Sequence, residues 1–300
     1  MSTWTNWVGN QSFTPREVVT VHSEDDVVSA VRDAAERGLR VRTVGTAHSF
    51  TPIVETDVLL DMSSMVGVVG VDPARLQARA LPKTEIGAFG DPLWEHGLAL
   101  ANQGDIDTQS IAGAIATATH GSGIRHSCFS AALAGARFVD GSGNLIEVSG
   151  ETNADVLPAL QTSIGLLGIM TEVTIGVVPA YDLHARTDIM TFDQVMELWD
   201  HDIGFYRHYG LFWMPDEESA RLYNLAGAVA DSCLVKRYVE VEPDSERPRL
   251  AENERVDRSY RIYPMVYDPN FHEVEYFFPI EHAKDILTEM RKLMRRWLPL

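Results

Sequence analysis

Val41-Arg-Thr-Val-Gly-Thr-Ala-His-Ser49 sets a short β-branched run, a glycine-bearing turn and a single histidine in succession. Farther on, Ser110-Ile-Ala-Gly-Ala-Ile-Ala-Thr-Ala-Thr-His-Gly-Ser-Gly123 runs almost entirely through small residues. The first stretch reads as a strand entering a tight loop, because Val and Thr favour a pleated backbone and Gly45 tolerates turns that other residues resist. Consecutive N–H groups from Thr43 to Ser49 in such a turn form a concave donor cluster suited to a diphosphate, with no lysine required. The second stretch lets main chain approach a flat ligand closely. A lone Gly-x-x-His is also what an ordinary strand exit with a solvated histidine looks like. Its pairing with the small-residue stretch is what turns the reading toward a ligand.

The remaining composition bounds that reading. A chain of 300 residues with 45% hydrophobic content has room for two cored domains. With 43 acidic and 25 basic residues the net charge is -18, which repels nucleic-acid backbones and anionic lipid, so no nucleic-acid partner is expected. Cys128 and Cys233 lie far apart without metal-ligand spacing, fitting two buried thiols in a reducing compartment. The N-terminus lacks a signal-peptide pattern and no apolar run is long enough for a membrane span, so a cytoplasmic chain is expected. Met290 to Leu300 carries Arg291, Lys292, Arg295 and Arg296 around Leu293, Met294 and Trp297, a pattern open to a basic amphipathic anchor that reads first as the outer face of a core helix.

Periodicity divides the chain near Pro179-Ala180. Glu17 to Val21 alternates as a strand, and Ser23 with Asp26 forms a capping box for a helix with apolar Val27, Val28, Val31, Ala34 and Ala35, ended by Gly38. Strands follow at Leu39 to Val44 and Val58 to Met62, then a hairpin of Gly67 to Val71 with Leu76 to Ala80. Thr84 to Gly97 reads as a helix interrupted or started afresh near Gly90-Asp91-Pro92, Ala134 to Asp140 and Leu145 to Ser149 as a strand pair, Asp155 to Ser163 as helical and Gly168 to Val178 as a strand. Beyond the boundary, Tyr206 to Met214 and Glu273 to Pro279 read as aromatic-rich strands of a sheet with helices on one face. The segment Asn224 to Ile262, charged and interrupted by Pro243 and Pro248, reads as a mobile excursion or a frayed meander, with no structure expected over Glu240 to Arg258.

Several chemistries drop away. No Walker-type phosphate loop occurs, and Gly121-Ser-Gly123 has His126 where a dinucleotide fingerprint needs a third glycine. No Gly-x-Ser-x-Gly elbow and no zinc-spaced histidine pair appears, so hydrolase and metal sites are not expected.

Arg42-Thr-Val-Gly45-Thr-Ala-His48-Ser49 resembles the covalent-flavin loop of vanillyl-alcohol-oxidase type flavoproteins, in the branch of D-arabinono-1,4-lactone, L-gulonolactone and alditol oxidases. Asn102-Gln-Gly-Asp105, Gln109-Ser-Ile-Ala-Gly-Ala114 and Thr117-Ala-Thr-His-Gly-Ser-Gly123 are similar to the flavin-facing segment of that branch, and Gly165 to Thr171 resembles its domain-closing strand. The resemblance implies an α+β architecture: a PCMH-type FAD-binding domain of two α/β subdomains over residues 1–180, then an incomplete antiparallel-sheet substrate domain over 181–300, with flavin between them. It implies FAD bound by Thr43, Val44, Gly45, Thr46, Ala47, His48, Ser49, Asp105, Ser110, Gly113, Thr117, Ala118, Thr119 and His120, with Ile169 as a backbone adenine contact. The covalent bond would run through His48. Thr117 and Ala118 read equally well as helix packing.

The implied reaction is hydride transfer from a carbinol carbon of a sugar lactone or polyol to the flavin, with O2 or another acceptor as oxidant. The Glu-x-Arg strand and Trp-Gly/Ala-Lys segment that handle substrate in the family would lie beyond Leu300, so no catalytic residue is assigned. Ala80-Leu81-Pro82-Lys83 departs from the glycine-bearing turn usual in the branch, which implies different packing beneath the flavin loop. A nicotinamide-dependent flavin reductase of the same fold and an inactive flavin-binding fragment are the alternatives. The histidine speaks against the first.

Overall fold

The computed structural model describes residues 3–222, 229–243, 249–265 and 271–297. The chain forms two compact units, one of Met1–Gly121 with His126–Ala180 and one of Ser122–Arg125 with Tyr181–Leu300.

In the first unit, β1 (Glu17–Thr20), β2 (Val41–Thr43) and β3 (Val58–Asp61) make a parallel sheet in the order β1-β3-β2. Helix α1 (Glu24–Glu36) makes the crossover from β1 to β2, which parallel strands of one sheet require. Its capping box is present on both sides, Ser23 Oγ accepting from the Asp26 amide while the Asp26 carboxylate accepts from the Ser23 amide. Val27, Val31 and Ala34 bury one stripe of α1 against Val58, Leu60 and Met62. Each buried valine stabilises this packing by about 1.5–3 kcal/mol.

The second layer of this unit is antiparallel. Strands β4 (Val68–Asp72), β5 (Gln77–Ala80), β6 (Leu133–Val139), β7 (Leu145–Ser149) and β8 (Ile169–Gly176) take the order β7-β6-β8-β5-β4. A core of Phe89, Leu93, Ile111, Ile115, Phe138, Val173 and Ile175 packs around the short helix Ile111–Ala116. Over Thr84 to Gly97 a 3-10 turn, Ile86–Phe89, comes first and the helix starts afresh at Gly90, running to Trp94, the second of the two readings of this stretch. Pro92 and two glycines make the segment a poor continuous helix. Of Asp155 to Ser163 only Leu157–Leu160 is helical. Cys128 is half-buried and only Cys233 fully buried, and both are free thiols.

The second unit is built on an antiparallel sheet of β9 (Asp182–Thr191), β10 (His208–Met214), β11 (Ser232–Val241) and β12 (Glu254–Arg258), in the order β10-β11-β9-β12. Helix α2 (Phe192–Phe205) lays Phe192, Val195 and Trp199 on Cys233 and Val235, joined by Ala283 and Leu287 of α3 (Ala283–Trp297). Two expectations are corrected. Asn224 to Ile262 forms strands rather than a mobile excursion: it holds β11, buried over its first seven residues, and β12, which lies within the Glu240 to Arg258 stretch; in it, 224–228 and 244–248 lie outside the described residues. Conversely, Glu273 to Pro279 forms no strand, and Val274, Tyr276, Phe277 and Phe278 are exposed. Its alternation fits a sheet position, but no described strand pairs with it. Helix α3 thus rests on this core through Ala283 and Leu287, although no residue of it is fully buried, and its outer side leaves Met290, Leu293, Met294 and Trp297 exposed. No helix among the described residues is long and apolar enough to cross a membrane.

Candidate FAD site

The loop after β2 is held from three sides within the first unit. Thr43 Oγ1 donates to the Leu60 carbonyl at 3.2 Å, which locks the strand end. From the N-terminal segment, the Trp7 amide donates to the Ala47 carbonyl at 2.9 Å, and Asn6 Nδ2 donates to the Ser49 carbonyl at 3.0 Å. From beneath, Lys83 Nζ donates to the carbonyls of Val44 at 3.0 Å and Gly45 at 2.6 Å. Ala47 adopts φ +66°, the left-handed backbone expected where successive amides curl into a nest. Among the described residues, the amides of Gly45 through Ser49 donate no hydrogen bond.

The two sequence motifs meet at Gly45. A Cβ there would overlap Ser110 Oγ and would lie 4.0 Å from the Gly113 Cα. Thr46 Oγ1 accepts from the Ser110 amide at 3.2 Å, so the loop and the start of the small-residue helix are joined by polar contact as well.

His48 stacks on Trp7, with ring centroids 5.3 Å apart and planes inclined by 29°. Its Nε2 lies 3.3 Å from Thr108 Oγ1, whereas Nδ1 is buried without a partner. Burial lowers the His48 pKa from 6.5, so the ring is held neutral at neutral pH.

Farther along, Thr117 Oγ1 donates to the Gly113 carbonyl at 2.9 Å and the Thr119 amide donates to Ala114 at 2.9 Å, winding up the helix end through Ala118 at φ +57°. Thr117 and His120 are exposed, and His120 Nδ1 lies 2.8 Å from the Gly121 carbonyl. The 102–105 segment packs on this turn: a Cβ on Gly104 would come within 3.0 Å of the His120 carbonyl, and one on Gly121 would collide with the Gln103 carbonyl and Asn102 Oδ1. Asn102 Oδ1 and Gln103 Nε2 are buried without partners. Asp105 is half-buried on the same segment. Ile169, by contrast, faces the α1 core together with Val139 and Leu60, so its side chain serves packing.

Trp7, Asn6, Lys83 and Thr108 belong to this arrangement without having been singled out as ligand residues by their sequence context. Only Lys83 carried a signal, as the departure from the glycine-bearing turn. The others reach the loop from distant segments, and such contacts leave no local pattern.

A family profile described as FAD binding domain matches residues 15–149, and one described as D-arabinono-1,4-lactone oxidase matches residues 173–232. An L-gulono-1,4-lactone dehydrogenase of Mycobacterium tuberculosis is 31% identical over 320 residues, covering 98% of this chain and 74% of the relative. The chain belongs to the FAD-linked aldonolactone oxidases and dehydrogenases. Within that family, a D-arabinono-1,4-lactone oxidase of Eremothecium gossypii is 34% identical over 203 residues, covering 65% of this chain and 38% of the relative. Among solved structures, cholesterol oxidase from Brevibacterium sterolicum superposes with a TM-score of 0.66 at 18% identity, over 79% of this chain and 47% of that one. Alkyldihydroxyacetonephosphate synthase superposes with a TM-score of 0.64 at 18% identity, over 75% and 48%. These two share the fold, the PCMH-type FAD-binding architecture. The chain thus spans about three quarters of the mycobacterial relative and about half of the solved structures.

The residues present fit FAD. The glycine contact at Gly45, the unmatched amides of the loop and the unpartnered Nδ1 of His48 are what a diphosphate and a covalently held ring would each use.

Proposed function

We propose that this chain is an FAD-dependent oxidoreductase that oxidises a CH–OH group of a sugar lactone or related polyol, with the flavin bonded to His48 and electrons passed to O2 or another acceptor. The observation that carries the site is the Val44–Ser49 loop, whose open amides lie beside Ser110 and Gly113. Its amides would take the diphosphate, Ser110 and Gly113 would give the ring and phosphates close main-chain approach, and Thr117, Ala118, Thr119 and His120 would extend that surface. Asp105 and the Ile169 backbone complete the proposed contact set. Bound FAD supplies a two-electron acceptor for the carbinol hydrogen.

His48 is suited to the covalent role on three counts. Burial keeps its imidazole neutral, so a ring nitrogen retains its lone pair. Nε2 faces Thr108 Oγ1, which leaves Nδ1 as the nitrogen for the bond. Stacking on Trp7 fixes the ring plane. Residues 1–180 act in this reading as the FAD-binding domain and 181–300 as the substrate-side domain.

Acid precipitation of the purified protein tests the attachment: a yellow pellet is expected from the unmodified protein and a colourless one from His48→Ala. Yellow colour confined to the supernatant of the unmodified protein would overturn the covalent assignment. Peroxide release or dye reduction on adding gulonolactone, arabinonolactone or xylitol tests the reaction, and no turnover with any of them would overturn the substrate class.

A further inference from the structure

We propose that Lys83 is the positioning residue of the diphosphate loop: drawn up behind it, its ammonium turns the loop amides outward and supplies the positive charge that the FAD diphosphate meets there. This rests on the FAD reading above and adds to it a residue from outside both motifs. Lys83 Nζ donates to two successive carbonyls, Val44 O at 3.0 Å and Gly45 O at 2.6 Å. A trans peptide sets its N–H opposite its C=O. Carbonyls of Val44 and Gly45 aimed at Lys83 therefore point the amides of Gly45 and Thr46 away from it. The same contact polarises both peptide units in the sense that strengthens those amides as donors to an anion.

The turn that carries Lys83 is itself fixed. Its amide donates to the Met65 carbonyl at 3.1 Å, and its neighbours Pro82 and Thr84 accept from the amides of Ala112 and Ile111 at 3.2 and 2.8 Å. These bonds consume the first free amides of the Ile111–Ala116 helix. The anion-binding amides are thereby left to the Val44–Ser49 loop, and one short turn connects both motifs.

The placement carries a cost that an anion would relieve. Burial lowers the Lys83 pKa from 10.5, while the carboxylates of Asp61 and Glu85 pull it back up. A diphosphate on the far side of two peptide units restores the missing counter-charge, so binding favours the protonated amine. Below the Lys83 pKa of the free protein, affinity for FAD is flat with pH. Above it, binding must take up a proton, and affinity falls by up to tenfold per pH unit until the bound-state pKa is reached.

The test uses the full chain in a His48→Ala background, so that FAD binds reversibly, with ADP and riboflavin as probes carrying and lacking the diphosphate. Lys83→Met is expected to weaken FAD and ADP in parallel by roughly tenfold or more, to leave riboflavin unchanged and to abolish the alkaline decline, with Lys83→Arg restoring part of the affinity. Equal weakening of riboflavin, or unaltered FAD affinity with the alkaline decline retained, would overturn the assignment. If Lys83→Met does not fold, the alkaline decline in the His48→Ala protein itself decides: a flat profile overturns the proposal. Failure of the Lys83-containing protein to bind FAD or ADP at all would instead remove the FAD reading on which it rests.

Discussion

The loop residues each have one job that can be removed separately. Gly45 and Gly121 both make room, but for different neighbours. A Cβ at Gly121 strikes the Gln103 backbone, which cannot swing aside, whereas one at Gly45 strikes a serine hydroxyl that can rotate. Gly121→Ala is therefore expected to cost about 1–3 kcal/mol in urea unfolding, as overpacking of a filled interior does. Gly45→Ala should cost less stability but displace the Ser110 hydroxyl, and Gly45→Ala with Ser110→Ala should recover the native unfolding midpoint. His48 titrates against the fold. Its folded pKa lies below 6.5, so as pH drops through the window beneath 6.5 the unfolded chain gains a proton before the folded one does, and stability falls. His48→Gln removes that loss, and the two proteins should diverge in unfolding free energy only below that value. The rate of covalent flavin incorporation should likewise fall only below 6.5. A midpoint above it would contradict the burial of the ring.

At the scale of elements, Arg237 on β11 decides how the second unit closes. It is 7% exposed and donates from Nε and Nη2 to Asp202 of α2 at 2.8 and 2.6 Å, and from Nη1 to Asp188 of β9 at 2.9 Å. Asp202→Ala leaves that guanidinium half-paired in the interior and is expected to destabilise the protein by about 3 kcal/mol, at the low end for a broken buried pair because Asp188 remains. Chemical unfolding of the variant checks this, with Asp200→Ala, on the exposed side of the same helix, as the neutral control. The same residues explain what local pattern does and does not reveal. The capping box at Ser23, the β4–β5 hairpin and the β6–β7 pair were legible because each is specified by residues close in sequence. β11 was not, since Lys236 and Arg237 fall in a charged, proline-interrupted segment that points away from a buried strand. In the fold Lys236 lies over the Phe212 ring at 5.1 Å and Arg237 is neutralised by carboxylates from two other elements. The alternating aromatics of Glu273–Pro279 misled in the opposite sense, because alternation describes a strand's faces and says nothing of whether a neighbour pairs with its edge. In the FAD site, Gly45, His48 and Ser110 were legible for the chemistry their residue types permit. Trp7, Asn6 and Thr108 were hidden because contact across long chain separations has no sequence period.

For the molecule as a whole, the balance of charge opposes its own cofactor. A net charge of -18 sets up a negative mean field, and FAD carries a diphosphate. Long-range repulsion acts on approach, while the amides of the Val44–Ser49 loop and Lys83 act only at contact. Salt separates the two, because screening shortens the reach of the field to about 10 Å near 0.1 M and hardly weakens hydrogen bonds made in a half-buried loop. Raising ionic strength from about 10 mM to about 300 mM is therefore expected to speed FAD association a few-fold and to leave dissociation nearly unchanged, so that affinity improves with salt. This is opposite in sign to the behaviour of a protein that collects phosphates through a basic surface, where salt weakens binding. Stopped-flow measurement of flavin fluorescence on the His48→Ala protein gives both rate constants. An association rate that falls with salt would mean that the local field of Lys83 and its neighbours extends far enough to override the acidic surface, and the site would then be steered rather than merely preorganised.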